Sequence, residues 1–300
     1  MGVVIPDGYH TTAAAIDRYH ESLPKRRSRR LGASSLGEEC SRRLWYQFRW
    51  AKQEQFTGRM LRLFRRGQRE EETVISDLKS IGCVITNTEK NQIELQIAPH
   101  IVAYPDGIIE SGVPEAPTKP HTLEIKTHSA KSFTKLLKGG IPPKHYAQMQ
   151  VAMHGLSVTR ALYVAVNKDT DELYIERVRY EKEMAEKIIA RGQMIVDASE
   201  APIGISNDSS WYKCKFCPMH DVCFKNEKGD RNCRTCAFST PSQDGTWHCE
   251  RWETTPPDDV LPVGCDAYVP HPDMHPGEIV DSGKTWAVYR TEDGEVRYGD

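Results

Sequence analysis

The spacing of apolar positions changes several times along these 300 residues. Between positions 61 and 81, Phe64, Val74, Ile75, Leu78 and Ile81 keep helical spacing and Gly82 ends the run, which predicts a long helix. Ahead of it, Ser35 is a candidate N-cap for a helical stretch carrying Leu44, Trp45, Phe48 and Trp50. Beyond it, Ile93, Leu95 and Ile97 alternate as a strand, Pro99-His100 interrupts, and residues 101–109 are expected as one further strand carrying Pro105-Asp106-Gly107. A loop at 111–120 precedes a third strand at 121–127, helices at 131–138 and 144–154, strands at 161–167 and 172–180, and a helix at 181–198. Past Pro202 the periodicity gives way to Cys, Trp, Pro and turn residues, as in small modules that need a metal cross-link to become ordered. Residues 284–290 and 295–298, separated by a turn, predict a terminal β-hairpin.

An apolar share of 38% is enough to bury a core, so the composition excludes collagen, coiled coil and disorder. The net charge of −2 names no partner, but its distribution is uneven. Residues 1–70 hold fifteen Lys/Arg against seven Asp/Glu, whereas 241–300 hold four against thirteen. A nucleic-acid footprint is therefore expected toward the front. With no long apolar run and no signal-peptide pattern, a cytoplasmic chain without a membrane span is expected, and in that compartment nine cysteines favour metal ligation over disulfides.

On the third strand, Glu124 and Lys126 share one face, because side chains alternate with period two. Asp106, next to a glycine, meets Glu124 at one sheet edge if the two strands are neighbours, and paired carboxylates are what a hard divalent cation requires. A Glu-x-Lys on a solvated strand face is the alternative for that tripeptide alone. Glu71 falls near the middle of the apolar stripe of the long helix, where a carboxylate needs a metal, water or lysine partner unless it reaches solvent. Gln148 follows His145 and Tyr146 on the helix after Pro142-Pro143.

In order, Gly67-Gln-Arg-Glu-Glu71, Tyr104-Pro-Asp106-Gly, Leu123-Glu124-Ile-Lys126 and His145-Tyr-Ala-Gln148 resemble the PD-(D/E)XK nuclease superfamily, specifically its RecB-like exonuclease branch. The resemblance implies a restriction-endonuclease-like α/β core, a central mixed sheet flanked by helices, that cleaves DNA phosphodiesters with Mg2+ or Mn2+. It implies Asp106, Glu124 and Glu71 as metal ligands, Lys126 as the catalytic lysine, and Gln148 as a further site residue. Many relatives carry His where this chain has Gln68, a poor metal ligand.

Cys214, Cys217 and Cys223 form a three-cysteine cluster with Cys40 as the candidate fourth ligand. One distant cysteine before C-x2-C-x5-C is similar to AddB-type nucleases and CRISPR adaptation exonucleases, where a [4Fe-4S] cluster joins the two ends of the domain; zinc on the same four thiols is the alternative. Cys233, Cys236, Cys249 and Cys265 have the spacing of a structural zinc site, with His248, His271 and His275 as nearby substitutes, and Cys83 is expected as a buried apolar residue.

Three units are expected: a basic arm (1–30), the nuclease domain (31–228) and a zinc-organised acidic module (229–300). The arm, Arg42, Arg43 and the arginines of 59–69, interleaved with Trp45, Tyr46, Phe48 and Trp50, suit phosphate contacts with base stacking. The function expected is a DNA exonuclease of recombination or end processing, in a phage-type setting, acting on single strands or duplex ends with a recombination or replication protein as partner. An inactive nucleic-acid-binding protein with structural metals and a CRISPR spacer-processing nuclease are the alternatives.

Overall fold

The computed structural model describes residues 11–24, 27–88 and 91–300. The basic positions Lys25 and Arg26 lie outside the described residues, as do 1–10 of the expected arm.

The chain opens with helix α1 (Thr11–Ser22), then strand β1 (Leu31–Gly32) and helices α2 (Ala33–Leu36), α3 (Ser41–Phe48) and α4 (Gly58–Ser80). Thr57 caps α4 by accepting the Met60 N–H, and Gly82, at φ +98°, turns the chain out of it. Strands β2 (Val84–Thr86), β3 (Leu95–Ala98), β4 (Ile101–Ala103), β5 (Gly107–Ser111) and β6 (His121–His128) follow. Helices α5 (Ala130–Gly139) and α6 (Pro143–Leu156) then lead to β7 (Arg160–Asn167), β8 (Leu173–Arg179) and α7 (Lys182–Asp197). Short helices α8 (Tyr212–Lys215) and α9 (His220–Phe224) precede a hairpin, β9 (Ser239–Pro241) and β10 (Trp247–Cys249). The chain closes with β11 (Glu278–Ser282), β12 (Trp286–Thr291) and β13 (Gly294–Gly299). The expected terminal hairpin is β12–β13, to which β11 adds a third antiparallel strand.

The main sheet runs β2-β5-β6-β7-β8 and is mixed: β6 and β7 are parallel, the other pairs antiparallel. A parallel pair needs a crossover, which α5 and α6 supply. Val74, Ile75 and Leu78 of α4 pack with Leu123, Ile125, Leu162, Val164 and Val166 on one face. Phe133 and Leu136 of α5 and Met149 and Met153 of α6 pack with Ala161, Tyr163 and Ala165 on the other. The fold is α/β, with mixed strands held between helices. Among the described residues, no helix is long and apolar enough to cross a membrane.

The segment expected as one strand at 101–109 is two strands in different sheets. β4 joins β1 and β3, while β5 joins the main sheet beside β6. Pro105 lies between them; lacking an N–H, it cannot continue a ladder, and the chain changes sheets there. Helix α1 leaves no periodic signal in the sequence, because its one buried residue is His20 and it has no apolar stripe.

Part of the Cys-rich segment packs into the front of the chain. Trp247, Leu261 and Met274 share a core with Leu44, Trp45, Phe48 and Trp50. Two guanidiniums are buried there. Arg234 donates to the carbonyls of Phe48 (2.9 Å) and Arg29 (2.7 Å) and lies 3.9 Å from the Trp50 ring centre. Arg49 donates to the carbonyls of Arg234 (3.1 Å) and Ser239 (3.3 Å) and lies 4.8 Å from the Trp45 ring centre. The aromatics expected to stack on bases therefore form this core.

Candidate active site

The residue just before β5 and the middle of β6 bring a group of charges together. Gly107 pairs with Leu123, which sets Asp106 just outside the ladder, opposite Glu124. Its backbone N–H donates to the Leu123 carbonyl at 3.1 Å, and its Oδ2 accepts the Ile125 N–H at 2.7 Å. Asp106 is thus clipped to β6 on both sides of Glu124. Glu124 is 2% exposed and forms an ion pair with Lys126, whose Nζ also donates to the Ile125 carbonyl at 3.2 Å. Period-two alternation puts that pair on one face, as expected from the sequence.

Glu71 reaches the group from α4 and is half-buried. Burial pushes its carboxyl up to about 7, the Asp106 charge adding and Lys126 opposing. Glu124 is pushed up to about 8, first by burial, with Lys126 opposing and Asp106 and Glu71 adding. Asp106 is raised by burial against the pull of Lys126 and the Ile125 N–H. Lys126 is pushed up despite burial, because Glu124, Asp106 and Glu71 all favour its charge. Three carboxyls and one ammonium feel one another here; burial and mutual repulsion push the carboxyls toward their neutral form, and a divalent ion would return them to carboxylates.

Three further residues border Lys126. His128 continues the face of Glu124 and Lys126; its Nε2 lies 3.2 Å from the Tyr163 hydroxyl, and His145 Nδ1 lies 2.9 Å from the same hydroxyl. Tyr163 stands beside Glu124 in the ladder. Burial, then the Lys126 charge, lowers both histidines, His145 to about 4. Alternation alone marks His128, whereas Tyr163 sits in an apolar run and needs the β6–β7 register to be found. Gln148 lies half-exposed on α6, nearly one turn past His145. Gln150 is buried and structural, donating to the Arg179 carbonyl and accepting the Glu181 N–H, both at 2.8 Å.

The distant cysteines come together. Cys40, Cys214, Cys217 and Cys223 line one cavity, where Cys40 also caps α3, its sulfur accepting the Arg43 N–H at 3.5 Å. Cys233, Cys236, Cys249 and Cys265 line a second, far smaller one of about 20 Å3. Burial raises the Cys236 thiol, with Cys249 and Cys265 adding, and Cys233 is pushed up to about 12, by burial first and then by the other three. All nine cysteines are free, and among the described residues no group of three or more His, Cys, Asp or Glu side chains is arranged to hold a metal ion. Cys83 is buried, as expected.

Two of the three substitute ligands are committed elsewhere: His271 Nε2 lies 2.9 Å from the Ser199 carbonyl, and His275 lies against the Tyr289 ring. Arg42 donates to the Pro202 carbonyl at 2.8 Å, and Arg43 pairs with Glu38 at 2.8 Å. Tyr46 corrects the sequence expectation. It is buried, with its hydroxyl donating to the Asp273 carbonyl at 3.1 Å, so it offers no ring face to a base.

Residues 25–160 match the family model of the YqaJ-like viral recombinase domain. The YqaJ-like stretch contains Glu71, Asp106, Glu124, Lys126 and Gln148 together with Cys40, and ends before the other seven clustered cysteines. Among solved structures, the alkaline exonuclease LHK-Exo of Laribacter hongkongensis, including its complex with dAMP, is 18% identical over 56% of this chain and 87% of its own, at a TM-score of 0.43. The protein SSO0001 is 16% identical over 72% of this chain and 95% of its own, at a TM-score of 0.42. No curated protein matches the chain.

Proposed function

We propose that this protein is a divalent-metal-dependent DNA exonuclease of recombination or end processing. One observation carries the reading: Asp106 is clipped to β6 on both sides of Glu124, with Lys126 paired to Glu124 and Glu71 within electrostatic reach. The YqaJ-like stretch holding all four residues supports it. The donors fit Mg2+ or Mn2+, being hard oxygens whose raised carboxyls a cation would return to the charged form. Asp106, Glu124 and Glu71 would hold the ion beside Lys126. Bound there, it would polarise a phosphate oxygen and make a water acidic. Lys126 keeps its proton and places positive charge where the attacked phosphate gains negative charge. The hydroxyl of Tyr163, held by His128 and His145, fixes the wall beside that ammonium.

The two thiol sets complete the proposal. Cys40, Cys214, Cys217 and Cys223 hold a [4Fe-4S] cluster, supported by their shared cavity, by the N–H groups of Arg43 and Met219 donating to Cys40 and Cys217, and by the charges of Arg42 and Arg43 beside Cys223 and Cys217. Cys233, Cys236, Cys249 and Cys265 hold one Zn2+, supported by the small cavity of about 20 Å3 that all four line. The decisive experiment uses end-labelled DNA with Mg2+ or Mn2+. Wild type shortens it progressively, while Asp106→Ala and Lys126→Ala do not. Undiminished cleavage by either variant, purified free of host nucleases, overturns the site. A wild type that binds DNA and cleaves none of it is the inactive binding protein instead.

A further inference from the structure

We infer that the groove between α1 and α4 binds the unpaired strand of a DNA end and leads it to the carboxylates. This inference rests on the nuclease reading and names the form of DNA that the site takes. The groove, about 800 Å3, is bounded by α1, the first half of α4 and the end of α3. Helix α1 lies so close to the start of α4 that a Cβ on Gly58 would sit 2.4 Å from the Asp17 backbone. The Gly58 N–H donates to Glu21 Oε1 at 2.7 Å, and Arg62 pairs with Asp17 at 2.9 Å. A helix with one buried residue is thus pinned in place, and it forms a wall.

Three rings enter the groove from the two helices and the loop between α3 and α4. Tyr19 is 62% and Phe64 48% exposed, and Phe56 meets Phe64 edge-on at 5.1 Å. Large rings facing a solvent-filled space give sequence-independent stacking surfaces for bases. Arg27, Arg30, Arg43, Lys52 and Arg65 line the groove with Glu54; the first four are ion-paired with Asp230, Glu94, Glu38 and Glu227, which leaves Arg65 as the lining cation outside these pairs and the one placed to meet a phosphate.

The groove also points at the site. Phe64, Gln68 and Glu71 lie on one face of α4, Phe64 and Glu71 within about 20° of each other around the helix. Seven residues advance about 10 Å, roughly three nucleotides of a stacked strand. Rings can stack only on bases whose faces are free, so the groove selects a single strand over a duplex.

The test is equilibrium binding of the full chain, in EDTA and at fixed salt, to fluorescent oligothymidine and to a blunt duplex of equal length. Wild type prefers the single strand. The double variant Tyr19→Ala/Phe64→Ala loses about tenfold or more in single-strand affinity and less than twofold on duplex, while Phe64→Tyr binds as wild type does. Arg65→Gln, at an exposed position, lowers the single-strand salt slope by about 0.7. Unchanged single-strand affinity in the double variant together with an unchanged slope in Arg65→Gln overturns the inference. Equal losses on both DNAs, or a wild type without preference, overturns it too. Because no cation is present, a ring-dependent preference in a protein that never cleaves DNA defeats the nuclease reading and leaves this one standing. Cleavage with ring-independent binding does the reverse.

Discussion

Glu124, Arg49 and Arg234 are each 2% exposed, yet their charges are held by different means. Arg234 and Arg49 spend their protons on four backbone carbonyls and their flat faces on Trp45, Trp50 and Trp247. Burial lowers them to about 9 and 10, which leaves both protonated at neutral pH. Neutral dipoles and ring quadrupoles do most of the holding, with the Asp273 charge supporting Arg49, while the Nε of each is left without a hydrogen-bond partner. Around Glu124 the neighbours are themselves ionisable, three carboxyls to one ammonium, and the carboxyls are pushed toward their neutral form. Burial of a charge does not mark a site; several carboxyls raised together beside one lysine do.

The largest effect that separates the two regions is chemical. Lys126→Ala or Asp106→Ala should lower cleavage by about a thousandfold or more, whereas Arg234→Ala should leave turnover per folded molecule within about threefold of wild type. Single-turnover cleavage below the melting transition checks both, and an Arg234 effect as large as that of Lys126 would erase the distinction. Next comes metal content. Cys214→Ser should remove the brown absorbance near about 400 nm and keep one zinc per chain, and Cys233→Ser should do the opposite. Absorbance with elemental analysis decides, and a colourless, iron-free protein from anaerobic preparation assigns the first set to zinc.

In stability the ranking inverts. Arg234→Ala should cost roughly 3 kcal/mol, since two short bonds to carbonyls and a close ring contact are lost while the acceptors stay buried. The urea midpoint reads it, and a loss near zero would show that this core closes without its guanidinium. Smallest is Tyr46→Phe, which should cost about 1 kcal/mol through one hydrogen bond and leave DNA affinity unchanged. A tenfold fall in affinity there would restore Tyr46 as a DNA contact and undo its correction.

The regular elements were legible because the forces that make them are local. Alternation put Glu124 and Lys126 on one face of β6, helical spacing put Val74, Ile75 and Leu78 on the core stripe of α4, and the break after Pro202 marked where periodicity stops. Cysteine spacing named two quartets; each lines a common cavity, though among the described residues neither is arranged to hold a metal ion. What needed tertiary structure is whatever depends on a partner distant in sequence. The split at Pro105 was hidden because β4 and β5 find their hydrogen bonds in different sheets. Tyr163 became a neighbour of Glu124 only through the β6–β7 register. The burial of Trp45, Tyr46, Phe48 and Trp50, which leaves Tyr19, Phe56 and Phe64 as the rings on the groove, follows from how the Cys-rich segment docks on α3. A chain's own period reports which face is apolar; it carries no record of which distant segment covers that face, because that choice is made by packing between segments and not within them.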